Sequence, residues 1–600
     1  MVAARRGADG ARALRPRHRL SLGLAAAAVG LGLLAPAAPA LTGLTSPASY
    51  DRPPEGWTRT GSEVLRIADA LPEVRRARAG KRLTYRRAYL ADRARHRWQV
   101  SYYEPPARAG ASTEEIAQVL VDDRSGRALE RWTGIQVAWT MARGYAGAFG
   151  RTVNALWIWI PLCLAFALPF LRRPLRLLHL DLAVLLAFSV SYAYFGAARI
   201  DVSVPLVYPL LVYLLARMLA LAVARSRGRS PSTRPQLRLA VPLGYLVLAT
   251  VFLIGFRCAL NVTASNVIDV GYASVVGADR FSSGEPVYGS FPADLPRGDT
   301  YGPVTYYAYV PFELAAPWRG GWDDLPAAHA AAVVFDLLCV ALLWLLGRRL
   351  RGPLLGALLA YCWVSFPFTL MVANANANDG LVAVLVLAAL LALGSPLGRG
   401  AAVVAAGLTK FAPLALAPLL ATYRGGLEPG AWSSARTMSR SVALTAAGFA
   451  AVAVLALAPI ALGGDLETFY ERTLAFQNDR DSPFSVWGLY GGLGSLHLVA
   501  EIGAVALAVV VAFLPKRRDV VVVAALGAAV MLAVQLTLAH WFYLYIVWFL
   551  PLVLVALLAP YAEPEGFGAG RSTDSIESAR PGAEQRIRTA LSHGSSSAAS

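Results

Sequence analysis

Stretches of about twenty apolar residues recur along this chain, at 152–171, 177–196, 204–224, 239–258, 326–347, 354–372, 379–394, 441–463, 494–514, 519–538 and 541–560. A helix rises about 1.5 Å per residue, so runs of this length suit a hydrocarbon core roughly 30 Å thick. Backbone amides cannot stay unpaired in lipid, which leaves the helix as the form such runs adopt. Over 600 residues the chain is 56% hydrophobic and 16% charged, and that excludes an ordinary soluble globular protein. The expected fold class is an all-α polytopic membrane protein of about 12–13 transmembrane helices, with a small α+β module near the N-terminus.

The net charge of +18 could suggest a nucleic-acid partner. The cations instead gather in short connectors: Arg172-Arg173-Pro174-Leu175-Arg176, Arg225 to Arg238, Arg348-Arg349-Leu350-Arg351, Arg399, Arg424 to Arg440 and Lys516-Arg517-Arg518. That is the bias of cytoplasmic loops. No basic recognition helix accompanies it, so no nucleic-acid partner is expected. The four cysteines, Cys163, Cys258, Cys339 and Cys362, lie in or at the ends of apolar runs without metal-ligand spacing, and read as apolar fillers.

These signals divide the chain. Residues 1–19 carry six arginines and are expected to be cytoplasmic. Residues 20–40 read as a signal anchor or a signal peptide, and the segment after residue 40 as exported. Residues 50–140 form a module, 152–224 accessory spans, 239–560 the main membrane domain, and 562–600 a disordered cytoplasmic tail. In the module, Ser62 to Leu71 has a helical apolar face, with Ser62 placed as its cap. Strands are expected at Trp98 to Tyr103, at Ile116 to Val121 and toward Trp132, with Asp122-Asp123-Arg124-Ser125-Gly126 as a turn.

Residues 400–422 break the sidedness count, because a single crossing there would place every later basic loop outside. The centre, Gly407-Leu408-Thr409-Lys410-Phe411-Ala412-Pro413, holds a charge and a proline. A re-entrant pair of half-helices restores the count, and such backbone is tolerated where it faces a cavity. Lys410 inside it is functional by default.

With that topology the exported side collects four polar clusters. The first holds Asp269, Asp279, Arg280 and Glu285, in a polar loop running from Cys258 to about Leu325. The second is Asn374 to Asp379, the third runs from Tyr470 through Asp479-Arg480-Asp481 to Gly488, and the fourth is His540-Trp541-Phe542-Tyr543-Leu544-Tyr545. Carboxylates, carboxamides and aromatic faces suit sugars, and basic residues among them suit a phosphate.

Residues 239–560 resemble the GT-C superfamily of integral membrane glycosyltransferases, in particular glycosyltransferase family 87, which includes polyprenyl-phosphate-mannose-dependent mannosyltransferases. The resemblance is carried by Asp269-Val270-Gly271-Tyr272, Gly284-Glu285-Pro286-Val287-Tyr288, Tyr306-Tyr307-Ala308-Tyr309-Val310-Pro311, Asn378-Asp379-Gly380, and Ala406 to Pro413. The first 235 residues depart from the simplest family layout, and their helix-then-hairpin module resembles the PepSY-like domains found outside bacterial membranes, implying a binding or regulatory role. The GT-C resemblance implies an inverting transfer from a lipid-phosphate sugar on the extracytoplasmic face of the cell membrane, with Asp269 as general base. The leaving-group chemistry agrees. A glycosidase needs a second carboxyl to protonate its leaving alcohol, whereas a polyprenyl phosphate leaves as a stable anion.

Lys410, Arg280 or Arg480 would then stabilise the phosphate charge. Asp279, Glu285, Tyr288, Asn378, Asp379, Asp479 and His540 complete the candidate substrate-binding set. Each also has a plainer reading: a local Asp279-Arg280 pair, a helix cap at Asp379, a solvated charge run at 479–481, an interfacial belt at His540. Asp336, inside a span, reads as scaffold paired with another helix. No cofactor is required and no metal ligand set is assigned, a divalent cation being the open alternative. The implied partners are a polyprenyl-phosphate-linked sugar donor, mannose favoured, an envelope glycolipid, polysaccharide or protein acceptor, and membrane lipid. Two other functions stay open: a transporter or flippase built on broken helices, and a sensor or assembly factor working through residues 50–140.

Overall fold

The computed structural model describes residues 44–561 apart from 82, 93–94, 106–112, 145–146, 173–174, 228–238, 323–324, 424–434 and 477–481. Residues 1–40 and the tail from 562, which carry the expected anchor and the expected disorder, lie outside the described residues.

The N-terminal module has a core of its own. Its first helix, α1 (Gly61–Asp69), is opened by Thr60, whose hydroxyl accepts from the Glu63 N–H at 3.1 Å while the Glu63 carboxylate accepts from the Thr60 N–H at 3.0 Å. This reciprocal box needs an acid three residues after the cap. Thr60 has one and Ser62 does not, so Ser62, the expected cap, sits in the first turn and donates to Asp51 at 3.0 Å instead. After α2 (Pro72–Arg78) come β1 (Tyr85–Asp92), β2 (Arg97–Glu104), β3 (Glu114–Asp122) and β4 (Ala128–Thr133), an antiparallel sheet in sequence order. Strands β2 to β4 fall on the expected runs. Strand β1 was not expected: it lies at the sheet edge, carries Arg86 and Arg87, and buries only Ala88 and Leu90, which hides its period. Val64, Ala68 and Val74 belong to the same buried core as Trp98, Val100, Tyr102, Val119 and Val121. The module meets the helical body where the Gln136 amide donates to the Ala198 carbonyl at 3.3 Å.

The helical body continues with α3 (Leu156–Ala167), α4 (Leu177–Gly196), α5 (Ile200–Ser226), α6 (Leu243–Ala264), α7 (Asp269–Ser282), α8 (Pro303–Ala315) and α9 (Pro326–Arg351). Then come α10 (Pro353–Ser365), α11 (Pro367–Asn374), α12 (Asp379–Leu391), α13 (Pro396–Gly407), α14 (Ala417–Ala421), α15 (Ala435–Leu462), α16 (Gly494–Phe513), α17 (Val520–Thr537) and α18 (Ile546–Leu558). Among the described residues seven helices are long and apolar enough to cross a membrane, or eight if α10 and α11 count as one span bent by 61°. The bend falls where Pro367 removes an N–H and pushes Phe366 into extended backbone. The count is below the expected 12–13 because residues 20–40 lie outside the described residues, the runs at 152–171, 379–394 and 541–560 form shorter apolar helices, and 400–422 forms a hairpin. Helix α18 is buried along its whole length; a helix wrapped in protein need not match the lipid thickness.

The break at 400–422 is a hairpin. Helix α13 rises about 18 Å, too little for a crossing, and after the turn at 408–411 the chain returns through a 3₁₀ turn (Ala412–Leu416) and α14. Its two feet meet: Arg399, in the first, lies over the Tyr423 ring at 5.6 Å and bonds Ser441 at 2.5 Å. Basic connectors gather at this foot end, where Arg518 donates to Thr422 at 3.1 Å and neighbouring Asp519 pairs with Arg225 at 2.6 Å. Asp336 has the helix partner expected of it. Arg257 of α6 grips it at 2.6 and 2.8 Å, and the Trp363 indole adds a third bond at 2.8 Å.

Candidate functional site

The polar loop from Cys258 to Leu325 is not a simple connector. Residues 258–264 belong to α6, and the rest folds into α7 and α8 with a long turn between them. Asp269 is the first residue of α7, and Asp379 the first residue of α12. The segments before these two helices are stitched together. The Asn266 N–H donates to the Asn374 carbonyl and the Ile268 N–H to the Ala375 carbonyl, both at 3.2 Å. Asn376 sits between them in left-handed backbone (φ 52°), a region where asparagine is tolerated. Its amide donates to the Asn266 carbonyl at 2.9 Å and accepts from the Asn261 amide at 2.8 Å. Two helix N-termini, each headed by a carboxylate, are thereby fixed side by side.

The tip of the hairpin reaches the same place. The Gly302 N–H donates to the Thr409 carbonyl at 3.3 Å and the Val304 N–H to the Leu408 carbonyl at 3.1 Å. A Cβ at Gly302 would overlap the Leu408 carbonyl, its carbon lying at 2.5 Å, so only glycine permits this approach. Lys410 Nζ then lies 2.7 Å from Asp379 Oδ1, with both side chains almost wholly buried. The Trp548 indole donates to the same oxygen at 2.8 Å. The rings of Tyr301, Trp548 and Tyr545 stand 5.3, 5.4 and 5.7 Å from the ammonium, a cation–π cage. The Asp269 carboxylate, half-buried, acts electrostatically on both Lys410 and Tyr301.

Tyr301 is held from both sides. Its carbonyl accepts from the Tyr288 hydroxyl at 3.0 Å, and its N–H reaches the Tyr306 hydroxyl at 3.4 Å. Burial, then the carboxylates of Asp269 and Asp379, push its phenol well above 10, so the group stays protonated. Nearby, Asp299 accepts from the Gly289 N–H at 2.7 Å and pairs with Arg472 at 2.8 Å. Its burial still holds the carboxyl above the usual range.

Of the other expected site residues, some stand elsewhere and some only support this region. Asp279 and Arg280 close α7, about 15 Å along the axis from Asp269 at 1.5 Å per residue. Arg280 pairs with Glu285 and covers the Trp318 ring at 5.8 Å, so the local partner of Arg280 is Glu285 rather than Asp279. Burial and the neighbouring Glu313 push the Asp279 carboxyl up. A cavity of about 380 Å³ opens beside them, between Val275, Trp318, Arg319 and Leu325. Tyr288 is a clamp on the Tyr301 backbone. Asn378 donates to Ser274 Oγ at 3.1 Å. His540 hydrogen-bonds Ser482 at 2.8 Å and packs edge-on against Phe484. Asp479 and Arg480 lie outside the described residues.

Sequence reasoning named Asp269, Asp379 and Lys410, which the fold brings together, but not the pairing of the last two, and it gave no site role to Tyr301, Trp548, Asp299 or Arg472. The signal for Tyr301 was the Tyr301-Gly302-Pro303 run itself, a rigid turn next to a residue that admits no side chain. Among the described residues no group of three or more His, Cys, Asp or Glu side chains forms a metal-ligand set. Comparison of the chain with protein-family models gives no match, and neither does comparison with curated proteins.

Proposed function

We propose that this chain is a membrane glycosyltransferase that moves a sugar, with mannose favoured, from a polyprenyl-phosphate carrier to an envelope acceptor, with inversion at the anomeric carbon. The observation that carries the reading is the meeting of Asp269, Tyr301, Asp379 and Lys410 at two helix N-termini and a re-entrant tip. A buried, rigid and mixed-charge constellation of that kind is costly to fold and is expected where chemistry is done. In the proposed step the Asp269 carboxylate takes the proton of the acceptor hydroxyl. The acceptor oxygen forms its bond to the anomeric carbon as the bond from that carbon to the phosphate oxygen breaks, and the electron pair leaves with the polyprenyl phosphate. No proton donor is needed for that leaving group, so a single base suffices. The cage around Lys410 and Asp379 holds the donor against Asp269.

The foot end of the hairpin carries the basic connectors, and by the positive-inside bias that end is cytoplasmic. The Asp269 end is then extracytoplasmic, where lipid-linked sugars serve envelope assembly. The N-terminal module, which meets the chain at the junction of α4 and α5, would sit on the same side and guide an acceptor or partner. The experiment is transfer of label from polyprenyl-phosphate sugars to membrane acceptors by the purified protein. Asp269→Asn should lower the rate by about 10²–10⁴-fold, the usual weight of a general base; undiminished transfer would remove Asp269 from that role.

A further inference from the structure

Which part of the donor lies against the Lys410–Asp379 pair can be argued from the atoms around it. Tyr301 Oη, Asp379 Oδ2 and Asn378 Oδ1 find no hydrogen-bond partner among the described residues. All three residues are at most 2% exposed. Buried polar atoms are paired in the great majority of cases, so three of them in one neighbourhood point to groups supplied from outside. Asp379 Oδ2 and Asn378 Oδ1 can only accept, and Tyr301 brings an O–H. Asp379 and Asp269 both act on Lys410. The ammonium is already bonded to Asp379 at 2.7 Å.

The spot asks for a group that both donates and accepts, and a carrier phosphodiester only accepts. A neutral sugar ring fits both requirements. Its hydroxyls donate to Asp379 Oδ2 and Asn378 Oδ1, and one of its oxygens accepts from Tyr301. We propose that the buried cluster of Lys410, Asp379, Asn378 and Tyr301 is a subsite for the hydroxyl edge of the donor sugar, and that the carrier phosphate is held elsewhere. Lys410 then orients Asp379 toward the sugar and does not itself neutralise the phosphate. This assignment rests on the lipid-linked donor proposed above.

The test is binding to the full-length protein in lipid nanodiscs, with two probes: a sugar-free polyprenyl phosphate and a polyprenyl-phosphate hexose. Tyr301→Phe deletes one oxygen and keeps the ring. It should weaken the hexose probe roughly threefold to tenfold, the range of one hydrogen bond, and leave the sugar-free probe within about twofold. On the unmodified chain, at least one monodeoxy hexose probe should show a loss of the same size, and no further loss on Tyr301→Phe, because the two changes remove one contact. Equal weakening of both probes would put the phosphate at this subsite and overturn the assignment. So would no weakening at all, or losses that simply add. An unmodified chain that binds neither probe would instead overturn the lipid-linked donor reading, and the subsite with it.

Discussion

Lys410 Nζ meets Asp379 Oδ1 at 2.7 Å, with the lysine side chain 1% exposed and the aspartate 0%. A pair so fully withdrawn from water is stable only while both members are present, since desolvation of each charge is offset by the other. Lys410→Met and Asp379→Asn should each lower stability by about 3–5 kcal/mol, and the double variant by less than their sum. Thermal or chemical unfolding of the purified protein in one detergent checks this; additive losses would contradict the coupling.

Gly302 is where the long turn before α8 touches the hairpin tip, through the Thr409 carbonyl. Gly302→Ala places a methyl on the Leu408 carbonyl group. Overpacking of this kind typically costs about 1–3 kcal/mol, and here relief requires the tip to move away from Tyr301. The expected outcome is a fall in transfer of at least about tenfold with modest loss of stability, since misplacement by an ångström at a reacting centre is enough. Transfer assays beside a melting curve separate the two effects.

Arg280 and Glu285 pair with each other at the far end of α7 from Asp269. Glu285 is half exposed, and such pairs contribute about 0–1 kcal/mol. Arg280→Gln and Glu285→Gln should therefore leave transfer within about threefold of the unmodified chain and stability within about 1 kcal/mol. A loss of 10²-fold or more in either variant would return the pair to the reacting centre.

Asp123 ties the N-terminal module together. Its carboxylate accepts from the Thr58 N–H at 2.7 Å, the Arg59 N–H at 3.0 Å and the Trp98 indole at 2.9 Å. Burial works against the charge, but the bonds from Thr58, Trp98 and the backbone outweigh it and hold the pKa below the usual value. A carboxyl depressed on folding contributes stability above its unfolded pKa, about 3.9, and loses it as pH falls through the folded value. Pepsin cleavage within residues 57–133 should accelerate as pH drops from about 4 to about 2. Asp123→Asn should be cut readily at the upper end of that window, with a weaker dependence on pH.

The N-terminal module illustrates how far local signals reach. Strands β2 to β4 follow from alternating apolar residues and a turn at 122–126, because each pattern is complete within a few residues. Strand β1 escaped, since an edge strand with two outward arginines carries no such alternation. The cap was misplaced by two residues for a related reason: Ser62 looks suitable alone, and only the reciprocal bond from Glu63 selects Thr60.

The sequence by itself determined the helical membrane body, the basic connectors, the broken segment at 400–422 and the candidacy of Asp269, Asp379 and Lys410. Each of these is a matter of local composition: apolar length, charge between runs, or a cation and a proline where lipid would forbid them. Tertiary structure alone decided that Asp379 is the partner of Lys410, that Trp548 and Tyr301 complete the cage, and that Arg280 stands apart. Those relations join segments far apart in the chain, and no local period records them. They exist because the Asn266–Asn374 stitch and the Gly302–Thr409 contact leave the backbone one place to bring these side chains.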